Sequence, residues 1–489
     1  MIKNKLTWAV TTATLSTFLL TGCGSDSDDN GPVTADPNLT REHSERTFTP
    51  AADISFTASA NASAAYYGTY EGDRGPAVYS VEFPTDWNGG VVMYTHGYAG
   101  TGSTLPVTVP GDAWRETVLA AGYAWAASSY SANYYDVRAA IEDTNKLANE
   151  MMTYLEQDWS VQYDAPTQFL ISGYSMGGHT AAAAVDRENM ERTNYPVAYE
   201  GAAPFCQAEQ YQFQWLGDYT RLAQAFAGYG YLPHSEFDEL IGTFAGPFIA
   251  TSGPIIQNLF NLEEDGTPDW SSPANINGER LMAAAEILSG GDRPIFEQGF
   301  ATFYNDIVMG TGGRDGTING ILGLENYGNE GKVYRWTTAD EPTAAELAFN
   351  EQVPRQSADP KANALRTDGV RWLPLVNGEF DVPVLTLHTL GDFYVPFKHQ
   401  QLYRERAMEN GNADLLVQRA IRDASHCGFS PVETQTALVD WLTWVNGGAK
   451  PAGDVVLDPA VVAAENYGCE YTSPDRTGLP ACPSVGTAD

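Results

Sequence analysis

A glycine-flanked serine, an aspartate and a histidine lie far apart in this chain, in that order, and together they have the means for acyl transfer. The serine is Ser175, within Gly173-Tyr174-Ser175-Met176-Gly177. The apolar run Phe169-Leu170-Ile171 leads into it, and small residues from Thr180 to Val185 follow. This is the pattern of a buried strand that turns sharply into a helix. The turn leaves no room for side chains beside the serine, and its hydroxyl is lifted onto the helix N-terminus. A hydroxyl alone is a poor nucleophile: it needs a base to take its proton, and the base needs an anion to orient it and stabilise its cation. His426 suits the first role and Asp392 the second.

Each partner has rivals. His96 sits in a His-Gly loop, His179 on the helix after the serine, His388 inside a predicted strand, and His399 on a helix of surface character. These read as structural or substrate-near. Asp423 precedes His426 by three residues on one loop, where it suits a turn, and Glu200 lies within a predicted strand rather than at its end.

The elements that must position these residues follow from periodicity. Strands are expected at residues 78–83, where the pattern alternates, and at 91–94, 123–129, 169–174 and 197–203. Helices are expected at 113–122 and at 136–156, where Ala140, Ile141, Leu147, Met151 and Leu155 recur at helical spacing. Such alternation means a parallel sheet with right-handed crossovers. After Cys206 it stops. Residues 207–378 look mostly helical and irregular, with aromatics throughout (Tyr211, Phe213, Trp215, Tyr219, Phe226). We read them as a cap inserted between two strands. The alternative is a second domain, but strand-like sequence resumes at 382–388 and 415–421, with helices at 397–410 and from Pro431. Ser175, Asp392 and His426 each fall just past a predicted strand, at the sheet edge where parallel sheets place their sites.

On these residues and their order, the chain resembles the α/β-hydrolase fold over about residues 75–206 and 380–446. The resemblance implies a mostly parallel central sheet with helices on both faces. It also implies a cap between the strand after the nucleophile helix and the acid-bearing strand. Domain bounds then fall at 56–206 and 379–447 for the two parts of the core, 207–378 for the cap and 448–489 for a tail with little regular pattern. The oxyanion would be held by the N–H of Met176 and by one from the loop after His96-Gly97, Tyr98 first and Ala99 as the alternative. The implied activity is hydrolysis of a carboxylic ester through an acyl-enzyme, on a small-molecule or polymeric substrate. An amidase or peptidase, akin to secreted amidases and prolyl-peptidase-like hydrolases, is the alternative. A non-catalytic surface-binding lipoprotein that kept the fold is a third. The chemistry calls for no metal or organic cofactor.

Composition narrows the class. With 489 residues, 43% of them hydrophobic and 12% aromatic, the chain can bury a substantial core. A net charge of −35, without a basic stripe, argues against nucleic acid. Met1-Ile2-Lys3-Asn4-Lys5 and the apolar residues 6–20 form a secretory signal over 1–22. It ends in Leu20-Thr21-Gly22-Cys23, which resembles a bacterial lipobox with Cys23 as the lipidated residue; an ordinary signal peptide with a nearby cysteine is the alternative. Gly24, rather than aspartate, favours the outer membrane, with the enzyme facing the periplasm or the cell surface. Residues 23–55, poor in large apolar side chains, read as a flexible tether. Export leaves Cys206, Cys427, Cys469 and Cys482, enough for two disulfides with three possible pairings. A local Cys469–Cys482 bridge would leave Cys206 with Cys427; two buried inert thiols are the alternative for that pair.

Overall fold

The computed structural model describes residues 46–230, 237–238, 243–244, 247–304, 326–474 and 476–483. The expected signal segment, Cys23 and most of the expected tether lie outside the described residues.

Eight strands form one sheet: β1 (Ala62–Glu71), β2 (Pro76–Pro84), β3 (Gly90–Thr95), β4 (Ala124–Ser128), β5 (Gln168–Tyr174), β6 (Tyr199–Phe205), β7 (Val384–Thr389) and β8 (Leu416–Ile421). Their spatial order is β1-β2-β4-β3-β5-β6-β7-β8. β2 is antiparallel to both β1 and β4, and every pairing from β4 to β8 is parallel. Parallel strands need crossovers, which the helices supply.

Alternate residues of each strand enter opposite cores. Val91, Met93 and Ile171 pack with Val137, Ile141 and Leu147 of α2 (Val137–Trp159) and with the alanines of α3 (Met176–Ala184). On the other face, Val92 and Leu170 meet Trp114 and Val118 of α1 (Asp112–Ala120) and Leu438 and Trp441 of α11 (Pro431–Val445). A short α4 (Arg187–Arg192) leads toward β6. Between β6 and β7 lie α5 (Gln212–Phe226), α6 (Pro247–Leu259), α7 (Ile276–Ser289), α8 (Phe296–Phe303) and α9 (Ala344–Gln352). The aromatics here largely serve their own packing: Phe226 stacks on Phe349 at 4.3 Å, and Trp270 lies 4.2 Å from Tyr304. After β7 come α10 (Lys398–Glu409), then β8, α11 and the short α12 (Pro459–Val462).

Several expectations need correction. β1 is an added strand, unforeseen because its small polar residues give no clear alternation. β2, expected at residues 78–83, lies between β1 and β4 and is buried along nearly its whole length. The tether does not run free to residue 55. Phe48 is buried against Tyr134, and Thr49–Pro50 pairs in parallel with Thr104–Leu105. Short antiparallel strand pairs, Phe260–Leu262 with Pro268–Pro273 and Phe237–Asp238 with Thr243–Phe244, interrupt the helical region. The tail is mostly irregular yet packed: Val456, Val462 and Tyr467 are buried against Leu390, Phe397 and Ala420. There Asp454 accepts the Ala420 N–H at 2.7 Å and donates its own N–H to Gln418 at 2.7 Å.

Candidate active site

The turn after β5 explains its glycines. A methyl group on Gly173 or Gly177 would collide with the backbone of Thr95 at the end of β3. Thr95 Oγ1 locks the same contact, donating to Gly177 O at 2.7 Å and approaching Ser172 O at 3.2 Å. Ser175, between them, is the N-cap of α3 with φ 60° and ψ −120°, a conformation that residues other than glycine seldom adopt.

Three strand ends then converge. Ser175 Oγ lies 2.7 Å from His426 Nε2, and His426 Nδ1 lies 2.6 Å from Asp392 Oδ2. Asp392 is fully buried, and its second oxygen accepts the Val395 N–H at 3.0 Å. The acid turn is tied to the histidine loop by Leu390 N–H to Ile421 O and Gly391 N–H to Asp423 O, both 2.9 Å, and by Thr389 Oγ1 to Ser425 O at 2.8 Å. The serine, carboxylate and imidazole named from the sequence are therefore brought into one hydrogen-bonded line. Such a line can move a proton off the hydroxyl while the carboxylate steadies the imidazolium.

The rivals do other work. Asp423 accepts from Ser425 N–H at 2.7 Å and pairs with Arg476. Glu200 lies near the opposite end of β6, 3.0 Å from the Gln168 amide. His388 Nε2 is 2.8 Å from Val395 O, and Gln400 donates to its Nδ1 at 3.3 Å. His179 Nε2 is 2.8 Å from Pro374 O, with the Tyr135 hydroxyl 3.1 Å from its Nδ1. Burial pushes both of these imidazoles down to a pKa of about 4. His399 is a correction. It is fully buried rather than on a surface, with its ring 4.5 Å from Trp215 and Nδ1 3.4 Å from Glu209.

Met176 is the first residue of α3, so its N–H has no acceptor within the helix. The His96-Gly97 loop presses against Ser175: a methyl on Gly97 would sit 3.4 Å from Ser175 Cβ and 3.9 Å from Oγ. His96 stacks on Tyr130 at 3.9 Å, with ring nitrogens 2.6 Å from Gly97 O and 3.1 Å from Ser129 O. Burial lowers its pKa. Tyr98 follows on this loop and is 43% exposed.

Both cysteine pairs are bridged, Cys206–Cys427 and Cys469–Cys482, with Cα separations of 5.4 and 5.8 Å. The first bridge touches the reacting groups: Ser175 N–H approaches Cys206 Sγ at 3.3 Å, and Cys427 Sγ lies 3.4 Å from His426 Nε2.

Sequence reasoning missed the braces. Arg293, just before α8, donates to Leu390 O at 2.7 Å, Gly291 O at 2.8 Å and Ser289 Oγ at 2.9 Å, and so grips the acid turn. Arg476, in the tail, joins Asp423, Glu433 and Gly428 O around the histidine loop. An arginine within irregular sequence gives no periodic signal of such a role. Among the described residues no group of His, Cys, Asp and Glu is arranged to hold a metal ion, and no helix is long and apolar enough to cross a membrane.

The strand order, the antiparallel β2, and a strained serine between β5 and α3 make this an α/β-hydrolase fold. No family model matches the chain. It is similar to the o-phthalyl amidase of Xanthobacter agilis, with 22% identity over 431 residues that span 80% of this chain and 90% of that protein. Solved structures that resemble it include feruloyl esterase B from Aspergillus oryzae, at 13% identity over 81% of this chain and 83% of that one with a TM-score of 0.39. Another is the acylaminoacyl peptidase of Pyrococcus horikoshii, at 10% identity over 83% and 44% with a TM-score of 0.36. At scores this low, the strand order itself defines the fold.

Proposed function

We infer that the protein is a serine hydrolase that cleaves a carboxylic ester. The observation that carries this reading is the unbroken line from Ser175 Oγ through His426 to the buried Asp392, with links of 2.7 and 2.6 Å. His426 takes the Ser175 proton as the hydroxyl attacks the carbonyl, and the N–H groups of Met176 and Tyr98 hold the oxyanion. The C–O bond to the leaving group breaks as His426 protonates that oxygen. Water, deprotonated by His426, then attacks the acyl-enzyme and frees Ser175. Asp392 stays ionised throughout. Residues 207–378 act as a cap over this edge of the sheet.

A second reading, cleavage of an amide by the same steps, is favoured by the similarity to an amidase. Matched esters and amides of one acid, assayed on wild type and Ser175→Ala, test both readings. Ester turnover that vanishes in the variant supports hydrolysis through Ser175. Faster amide turnover relative to the uncatalysed rates would select the second reading, and equal activity in the two proteins would overturn both.

Cys23 carries the lipid that holds the enzyme to a membrane. Detergent-phase partitioning of wild type but not of Cys23→Ser is the expected result, and identical partitioning would remove the anchor from this account.

A further inference from the structure

Tyr394 stands apart from the turn that carries it. Its neighbours Phe393 and Val395 are 0% and 2% exposed, whereas Tyr394 is 38% exposed. Its ring lies 5.4 Å from the His426 imidazole, tilted by 49°. Phe303, the last residue of α8, packs edge-on against it at 5.3 Å.

The backbone beneath this ring is held by a buried polar chain. Gln212 of α5 donates its amide to the Tyr394 carbonyl, and its Oε1 is 2.8 Å from His399 Nε2. His399 faces Glu209, which also pairs with Arg406. Burial alone would raise the Glu209 pKa, but the His399 hydrogen bond and the Arg406 charge outweigh it and hold the carboxyl below its usual value. Burying these groups costs free energy unless each is paired. The chain links α10 to α5 and ends on the Tyr394 carbonyl.

The position of the ring has a chemical meaning if His426 is the base, and the inference rests on that reading. His426 Nε2 must hand its proton to the leaving heteroatom, so that atom lies within hydrogen-bond reach of the imidazole. Whatever the leaving atom carries lies against the groups flanking the imidazole, where Tyr394 offers an exposed aromatic ring. Ring pairs attract when their centroids are about 4.5–7 Å apart, beyond the apolar area they bury. We propose that Tyr394 determines specificity on the leaving-group side, and that the preferred leaving group carries a planar aromatic ring.

The test keeps the acid constant and compares its benzyl and methyl esters, whose alcohols have similar acidity. Wild type should favour the benzyl ester in kcat/KM by about tenfold. Tyr394→Ala should lower kcat/KM for the benzyl ester about five- to tenfold, mainly through KM, while methyl ester turnover stays within about twofold. Tyr394→Phe should keep the preference. Gln212→Ala, acting through the Tyr394 backbone, should weaken it. No benzyl preference in wild type, or an equal fall for both esters in Tyr394→Ala, would overturn the proposal. Labelling of Ser175 by an alkyl fluorophosphonate separates the two levels. With labelling intact, such results count against Tyr394 alone, whereas no labelling removes the hydrolase reading and this inference with it.

Discussion

The backbone N–H of Ser175 donates to Phe205 O at 3.1 Å and approaches the sulfur of Cys206 at 3.3 Å, so Ser175 rests on a disulfide. The partner sulfur, on Cys427, lies beside the His426 imidazole. Ser175, Cys206 and Cys427 all have positive φ, at 60°, 40° and 53°. Conformations of this kind cost about 1–3 kcal/mol each and persist only where their surroundings enforce them. The bridge spans 221 residues of sequence and is one such enforcement.

Replacing both cysteines, as Cys206→Ala with Cys427→Ala, should lower kcat about 10- to 100-fold with KM little changed, because the Ser175–His426 alignment loosens. Stability should fall by about 3–5 kcal/mol. Steady-state kinetics and denaturant unfolding measure the two effects. Unchanged kcat in a folded variant would mean that the alignment does not depend on the bridge.

Asp392→Asn should reduce kcat/KM by about 10³–10⁴, the cost of losing the anion that orients the imidazole. Asp423→Asn, whose carboxylate serves Ser425 and Arg476, should cost less than about tenfold. Kinetics on the two variants side by side check which acid serves His426. A larger loss at Asp423 would reverse the assignment.

The difference between these two acids was legible in the sequence because each sat in a recognisable context. Asp392 followed a near-continuous apolar strand, and Asp423 shared a loop with His426. The parallel strands were legible for the same reason, since burial on both faces writes itself as apolar runs. β1 was not, because an edge strand built from Ala62-Ser63-Ala64-Ala65 and tyrosines has no clear period. His399 looked like a surface residue because its helix is rich in charged and polar side chains, yet Glu209 and Gln212, distant in sequence, give it buried partners. Arg293 and Arg476 act through carbonyls and carboxylates that only the folded chain brings near, which no local pattern announces.

Arg293→Leu should lower kcat about tenfold while leaving KM close to wild type, since the guanidinium holds the Leu390 carbonyl two residues before Asp392 and sits in the acid turn's support rather than in contact with substrate. Arg293→Lys, which keeps the charge but not the three-way grip, should recover little of it. Full activity in the lysine variant would make charge, not geometry, the operative feature.

Asp186 sets a pH-dependent contribution to stability. Burial raises its pKa from 3.8 to about 7, although Asn377 N–H and Glu379 N–H donate to one carboxyl oxygen at 2.7 and 3.2 Å. Between these pKa values the folded state holds a proton that the unfolded state has released, so stability falls as pH rises through that window and stays low above 7. Asp186→Asn removes the titration. Its stability relative to wild type should therefore improve by about 3 kcal/mol between pH 4.5 and pH 8. Urea unfolding at the two pH values gives the comparison. A constant offset would show that the carboxyl carries the same charge in the folded and unfolded states across this range.

The brace at Arg476 sets an order of events during biosynthesis. Ser175 and its turn are made early, and Asp392 and His426 follow, but the histidine loop gains its grip on Asp423, Glu433 and Gly428 only when residues some fifty positions beyond His426 have been added. The Cys206–Cys427 bridge likewise must wait for the second thiol to reach an oxidant. A chain still emerging from the ribosome therefore holds Ser175 without a braced His426.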